Sequence, residues 1–504
     1  MSTSSGHHDF EQSSVDESQK RGFWSMFVIM MGFTFFSASM WVGLTLANGD
    51  PKIHFAGLSF ANFVWAVMAG NLILGLYTAL LAYPAARTGL SVHLLSRYSF
   101  GTRGSNIPSA VLAITQIGWF GVGVAMFAIP AAWWLADASW LQGTWLVGGV
   151  RESFFGAEKE LPLRLLWTLT VVSGIVMTSS AYFGIKALHV ISVVSVPAIA
   201  ILGGWSAIQA LFFDSVETIA ANNPAIDATA IRNGWDVLAQ HQPAATADSV
   251  STAVGMVIAI SLGIGSFVSG GSCTPDFTRF AKTPKIAVTT TVLAFFIGNS
   301  LMFFFGGAAA MVYGKNDISN VMYIQGLLLP AVVVLLLNIW TTNDNALYTS
   351  GLGLANITGL PKRFLVLFNG ALGTLAALWL YNHFCDWLHI LNAFIPPCGA
   401  ILIADYFVRA RRRYEPIAER KFVRVSPPAV VAWALGSLVA LFGLMNLDPK
   451  MNLFGLPAGF VKAFDFGLPA INGMVVAALV YLGLSAVCPC TRKCKCADGA
   501  CATK

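Results

Sequence analysis

Residues 263–275 read Gly263-Ile264-Gly265-Ser266-Phe267-Val268-Ser269-Gly270-Gly271-Ser272-Cys273-Thr274-Pro275, at the end of an apolar run that begins near residue 252. Each glycine inside a helix costs about 1 kcal/mol relative to alanine, and a proline also removes a backbone donor. Four glycines and Pro275 in so short a stretch predict an unwound helix. Freed carbonyls can then coordinate a cation, while half-helix N-termini and serine hydroxyls address a polar substrate. The first apolar run carries a similar interruption, Met30-Met31-Gly32-Phe33-Thr34-Phe35-Phe36-Ser37-Ala38-Ser39-Met40, with one glycine and three hydroxyls. Paired interruptions at corresponding positions of two halves are the best sequence pointer to the binding site of a secondary transporter. The pair predicts a five-plus-five inverted repeat. The alternative, glycines that merely allow close helix packing, is the weaker reading for two such segments together.

Composition agrees with a membrane setting. The 504 residues are 56% hydrophobic and only 11% charged, against about 25% charged in soluble proteins. The apolar runs are long and do not alternate, which excludes a β-barrel. No GxGxxG, Walker loop, HExxH or GxSxG in a strand-turn-helix context is present, and no nucleophile, base and oxyanion group converge, so an enzyme is not expected. The expected fold is an all-α integral membrane protein of twelve transmembrane helices. The spans fall at 24–47, 57–85, 108–136, 163–183, 187–213, 252–274, 287–313, 323–352, 364–381, 387–408, 427–446 and 468–487, the first and sixth broken and the last two peripheral.

The domain reading follows: a cytoplasmic tail at 1–22, a ten-helix transport core at 23–408, a basic loop at 409–426, two peripheral helices at 427–487 and a cysteine-rich tail at 488–504. Most of the 30 lysines and arginines, including Arg87, Arg97, Arg103, Arg279, Lys362 and the 409–424 run, fall on one side when the N-terminus is inside. Cytoplasmic loops retain positive charge, so both termini are expected in the cytoplasm, with the chain in the plasma membrane. A net charge of +6 so scattered does not suit a nucleic-acid surface. The long outer loops 138–162 and 214–251 are expected to be surface decoration. The tail pattern C-x-C-x3-C-x-C-x4-C lacks paired CxxC knuckles and is weak evidence for a metal site.

Polar groups inside spans need a reason. Asn338, Thr341 and Thr342 lie at i, i+3 and i+4 and share one face of the eighth span. Two hydroxyls and a carbonyl there, opposite carbonyls freed in the first span, form an oxygen cage suited to a small hard cation. The triplet contains no carboxylate, which favours Na⁺ over H⁺. Asp344 is an intramembrane acid and hence a candidate proton relay, although a structural role is preferred. On the third span, Gln116 and Trp119 stand at i, i+3. Together with Phe267, Ser266 and Ser269 they describe a flat slot with hydrogen bonders on its rim.

The segments 34–41, 116–130 and 337–348 closely resemble the nucleobase cation symporter-1 family of bacterial permeases. The likeness runs from about residue 20 to about residue 415; the last two spans match only in pattern, and the outer loops and tail depart from it. The resemblance implies an inverted-repeat symporter that couples uptake of cytosine to Na⁺. Carried over by position, the base lies between Trp119 and Phe267, with Gln116, Ser266, Ser269 and Asn338 around its edge and Phe36 closing the slot. The cation is held by backbone oxygens of Gly32, Phe35 and Asn338 and the hydroxyls of Thr341 and Thr342. Phe35, Phe36 and the identity of the ligand come from the resemblance alone. No cofactor is expected beyond the coupling Na⁺, and a monomer is expected. Hydroxymethylpyrimidine, adenine, proton coupling and a non-transporting nucleobase receptor are the alternatives.

Overall fold

The computed structural model describes residues 12–50, 55–154, 160–183, 185–242, 252–315, 318–447, 452 and 455–487. The cysteine-rich tail lies outside the described residues, as do residues 1–11 and parts of both outer loops.

All twelve expected segments are helical. The first span is a bent pair, Phe23–Thr34 and Ser37–Asn48, with 48° between its halves. There follow Phe60–Thr88, Asn106–Ala136, Leu163–Phe183 and Ile185–Ile208, the last running into a π turn at Gln209–Phe213. The sixth span is Thr252–Thr278, and the seventh is Pro284–Leu293 and Ser300–Tyr313 joined by a π turn at Ala294–Asn299. Leu328–Thr358, Lys362–Asn382, Phe384–Ala404, Pro427–Leu447 and Pro469–Val487 complete the series. Ten single helices and the bent pair are long and apolar enough to cross a membrane, eleven spans by length and composition among the described residues. The eighth span, Leu328–Thr358, falls short of that apolarity because Asn338, Thr341, Thr342, Asn343, Asp344 and Asn345 interrupt it. Outward faces are apolar, as with Trp65, Leu72, Leu76 and Leu80 along the second span.

Packing follows a five-plus-five rule. The first span packs on the fifth and the sixth on the tenth; the first also packs on the seventh and the second on the sixth. The third meets the ninth and the fourth meets the eighth, while the third touches the tenth and the fifth touches the eighth. Adding five to each ordinal turns one member of each pair of contacts into the other. Contacts of the third with the eighth, the second with the seventh and the fourth with the ninth map onto themselves. Five is odd, so a second copy starts on the opposite membrane face. The last two spans pack on each other and on the tenth, outside this scheme.

The sixth span corrects an expectation. It is one continuous helix from Thr252 to Thr278, unbroken through its four glycines and Pro275. The packing alternative explains three of the four glycines. A Cβ at Gly265 would meet the Asn392 side chain at 2.6 Å, one at Gly270 would meet Phe267 at 2.6 Å, and one at Gly271 would meet Thr78 at 2.7 Å. Small residues there let the second and tenth spans approach. Hydroxyls brace the helix as well: Ser266 Oγ donates to Gly263 O at 2.7 Å and Ser272 Oγ to Val268 O at 2.9 Å.

The two long loops carry local secondary structure in their described parts. Arg151–Glu152 pairs antiparallel with Leu161–Pro162. In the second loop Val216–Asn222 and Gly234–Gln240 are helical, and His241 Nε2 lies 3.1 Å from Ala47 O near the C-terminal end of the first span.

Candidate transport site

The first span breaks at Phe35 (φ −77°, ψ 74°) and Phe36 (φ −114°, ψ 128°). The Phe36 N–H turns to Thr34 O at 2.9 Å instead of to Gly32 O four residues back. Neither residue is a glycine or a proline. Asn338 of the eighth span holds the break open: its Oδ1 accepts the Ser37 N–H at 2.9 Å, and its Nδ2 donates to the Phe35 carbonyl. One amide thus replaces two backbone partners that the broken ladder lacks, groups that are costly to leave unpaired away from water. Beyond the break, Ser39 Oγ donates to Asn299 Oδ1 at 2.6 Å, and Asn299 Nδ2 donates to Asn71 Oδ1 at 2.6 Å. These bonds tie the half-helix Ser37–Asn48 to the seventh and second spans. Asn299 ends a π turn, a feature frequent at functional sites.

A small cavity of about 30 Å³ adjoins the break. Phe36, Gln116, Trp119, Ser266, Phe267 and Ser269 all line it, together with Phe33, Gly270, Thr342, Asn343 and Ala346. The Phe36 ring stands edge-on to both walls, 5.4 Å from Trp119 and 6.3 Å from Phe267. Two atoms on these lining residues, Trp119 Nε1 and Ser269 Oγ, are buried without a hydrogen-bond partner. More than about 90% of buried polar groups are paired, so two such atoms at one cavity mark a place for a ligand with polar edges.

Asn338 is the exception among the residues assigned to the substrate. Its amide is engaged at the break, and it does not line the cavity. Asn343 lines it instead, held by a bond from its Nδ2 to Phe120 O at 3.2 Å. Sequence reasoning missed Phe33, Gly270, Asn343 and Ala346. The available signal was helical spacing: Thr342, Asn343 and Ala346 share a face adjoining that of Asn338 and Thr341.

Four of the five oxygens assigned to the cation are linked through Asn338. Thr341 Oγ1 donates to Asn338 O at 2.7 Å and Thr342 Oγ1 at 3.1 Å, and the Asn338 amide reaches the Phe35 carbonyl. The Gly32 carbonyl is left without the Phe36 N–H that an intact helix would supply. All five donors are neutral oxygens, the set a hard monovalent cation takes; the two hydroxyls need only turn their hydrogens away from Asn338 O. Among the described residues no group of three or more His, Cys, Asp or Glu side chains is placed to hold a metal.

Residues 14–464 match the model of the family described as permeases for cytosine/purines, uracil, thiamine and allantoin. The chain belongs to this permease family. It is accordingly a multi-pass membrane transporter and not an enzyme. The cytosine permease of Escherichia coli (strain K12) is 46% identical over 480 residues, covering 95% of this chain and 99% of the relative. A purine-uracil permease of Arabidopsis thaliana is 23% identical, covering 88% of this chain and 74% of its own. Among solved structures, a nucleobase-cation-symport-1 family transporter in a closed conformation with bromovinylhydantoin bound superposes with TM-score 0.69 at 17% identity, covering 95% and 96% of the two chains. At that identity the likeness concerns the fold.

Two further polar clusters surround the permease site. Asp344 is buried on the eighth span, and its Oδ1 accepts from Ser180 Oγ of the fourth span at 2.5 Å; Ser180 Oγ also accepts from Trp340 Nε1 at 2.5 Å. Asp344 therefore ties two helices and does not line the cavity. At the other end of the sixth span, Asp276 Oδ1 accepts the Val92 N–H at 2.8 Å, and Arg279 Nη2 donates to Tyr348 Oη at 2.9 Å. Lys362 Nζ sits 4.1 Å from the centre of the Tyr348 ring. Arg279 and Lys362, read from the sequence as loop charges, are thus buried in helix contacts. His93, on the connecting helix Val92–Phe100, lies 3.8 Å from Asp276 Oδ2, and burial pushes its pKa down to about 3, so it is neutral at physiological pH.

Proposed function

We propose that this permease imports cytosine by symport with Na⁺ through alternating access, oriented in the plasma membrane with both termini cytoplasmic. The observation that carries the reading is a cavity walled by Trp119, Phe36 and Phe267 whose lining residues include two unpartnered polar atoms, Trp119 Nε1 and Ser269 Oγ. The 46% identity to a cytosine permease supports the choice of base. Aromatic faces suit a flat heterocycle, and stacking on one contributes about 1–3 kcal/mol.

Asn338 links the two sites physically. Its side chain holds the broken first span, and its carbonyl is the acceptor for both threonine hydroxyls. A cation there favours the conformation in which the break and the eighth span are joined, which is the conformation that presents the slot. Cytosine is neutral at pH 7, so one Na⁺ per cycle moves one net charge. A potential of 100 mV supplies about 2.3 kcal/mol for it, enough for roughly fifty-fold accumulation.

The test is uptake of labelled cytosine into proteoliposomes, with unlabelled uracil, adenine and hydroxymethylpyrimidine as competitors. Accumulation should follow an imposed Na⁺ gradient at constant pH, and Thr341→Ala should abolish the Na⁺ stimulation. Undiminished uptake with choline in place of Na⁺ would refute the coupling, and saturable binding without accumulation would favour a receptor.

A further inference from the structure

The second span ends in a stripe that the transport site does not use. Leu72, Leu76, Leu80, Tyr83 and Arg87 recur every three or four residues of the helix Phe60–Thr88, so they lie on one face. The three leucines are exposed, at 49%, 57% and 41%, on a helix long and apolar enough to cross a membrane. Leu72 lies near the middle of that helix, and from it to Tyr83 is about 16 Å, about half the thickness of the hydrocarbon core. The face therefore runs from mid-membrane to the headgroup level, where it ends on an aromatic ring and an exposed guanidinium.

The tenth span supplies the other side. It finishes in the π turn Asp405–Arg409, and the Tyr83 ring centre stands 6.2 Å from that of Tyr406 and 5.8 Å from that of Phe407. The chain then turns back through Arg411 and Arg412, both left-handed, at φ 49° and 64°. Glycine takes such positions without strain and arginine does not. The Arg412 N–H holds the turn by donating to Tyr406 O at 2.8 Å, and the Arg412 guanidinium lies over the Phe407 ring at 5.4 Å. Arg87, one turn beyond Tyr83, and Arg412 thus stand beside one aromatic cluster built from two spans. Carboxylates do not neutralise them. Asp405 is taken up by Arg409, Tyr414 and Tyr481, Glu415 pairs with Arg420, and among the described residues no acidic side chain pairs with Arg87 or Arg412.

We propose that this cluster is a binding site for an anionic phospholipid: Arg87 and Arg412 hold the headgroup phosphate, and an acyl chain lies along Leu80, Leu76 and Leu72. A guanidinium presents a planar fork of donors that matches a phosphate, and a net negative headgroup adds attraction that a zwitterionic one lacks. The rule that positive loops stay in the cytoplasm accounts for arginines at this end of the spans. It requires neither two successive left-handed arginines nor the placement of one over Phe407.

The experiment is native mass spectrometry of the purified full-length protein, mixed in detergent with equal amounts of phosphatidylglycerol and phosphatidylcholine. Wild type should retain phosphatidylglycerol over phosphatidylcholine by about tenfold or more, and Arg87→Gln and Arg412→Gln should each lower that preference by about fivefold. Arg424→Gln removes an equal charge from the same loop, where the backbone is bonded to Arg103 and Gly104, and should leave the preference unchanged. Arg412→Gly relieves the left-handed backbone while removing the guanidinium, so it should lose lipid preference yet raise the thermal midpoint measured without added lipid. Equal retention of the two lipids by wild type would overturn the inference, as would an undiminished preference in Arg87→Gln and Arg412→Gln. Displacement of phosphatidylglycerol by an equal concentration of free glycerol phosphate would overturn it too, since the site would then read a phosphate without its lipid.

Discussion

The first and sixth spans invert what their sequences suggest about helix stability. The sixth carries four glycines and a proline within residues 263–275 and stays helical throughout. The first breaks at two phenylalanines, with its nearest glycine three residues away. The difference lies in their neighbours. At Phe35 and Phe36 a side-chain amide from the eighth span supplies partners for a freed carbonyl and a freed N–H. Along the sixth span neighbouring side chains crowd Gly265, Gly270 and Gly271, and the backbone stays helical past them and past Gly263, which has open space beside it. Inside a membrane, where water cannot satisfy the backbone, a helix breaks where another element replaces its hydrogen bonds, and low propensity alone does not open it.

The strongest way to break this comparison is to remove the replacement partner. Asn338→Leu leaves the Phe35 carbonyl and the Ser37 N–H unpaired, each at about 1–3 kcal/mol. Since 1.4 kcal/mol is a factor of ten, Na⁺-driven uptake should fall by roughly a hundredfold or more, together with the thermal midpoint of the purified protein. Uptake within a few-fold of wild type would show that the break does not depend on this amide.

An intermediate effect is expected where the sixth span is pressed. In Gly271→Val the new side chain begins 2.7 Å from Thr78 Cγ2, and overpacking of this kind costs about 1–3 kcal/mol. The midpoint should drop while the apparent Na⁺ affinity of the remaining transport stays unchanged, because Thr78 and Gly271 lie outside the oxygen cage. A shifted Na⁺ affinity would mean that the sixth span contributes to the cation site after all.

The smallest effect sharpens the contrast. A Cβ at Gly263 would meet nothing within 4 Å, so Gly263→Ala in a continuous helix should stabilise by up to about 1 kcal/mol and leave uptake within twofold. Slower uptake with a raised midpoint would place a transient opening of the sixth span at Gly263 within the transport cycle.

The site was legible in proportion to how much of it is written on single helix faces. Gln116 with Trp119 and Ser266 with Ser269 are spaced so that each pair faces one way, and the structure brings all four to one cavity with Phe267. Thr341 and Thr342 were recognisable as a hydroxyl pair beside a carbonyl, and they do bond the Asn338 carbonyl. The role of the Asn338 side chain was not readable, because its partners lie some 300 positions away. Separations of 157 and 164 positions hid the contact between Cys273 and Gln116 and that between Asp344 and Ser180.

What the sequence determined by itself is the solvent, the helical class and the spans, since apolar length and backbone satisfaction in lipid admit few other solutions. It also pointed to aromatics, amides and hydroxyls in place of charge, and the structure gathers such residues around one cavity. Only the tertiary structure decided which helix is broken, which amide faces the cavity and which charged groups are buried. Those outcomes depend on hydrogen-bond partners and steric neighbours contributed by other spans, and local pattern does not record them.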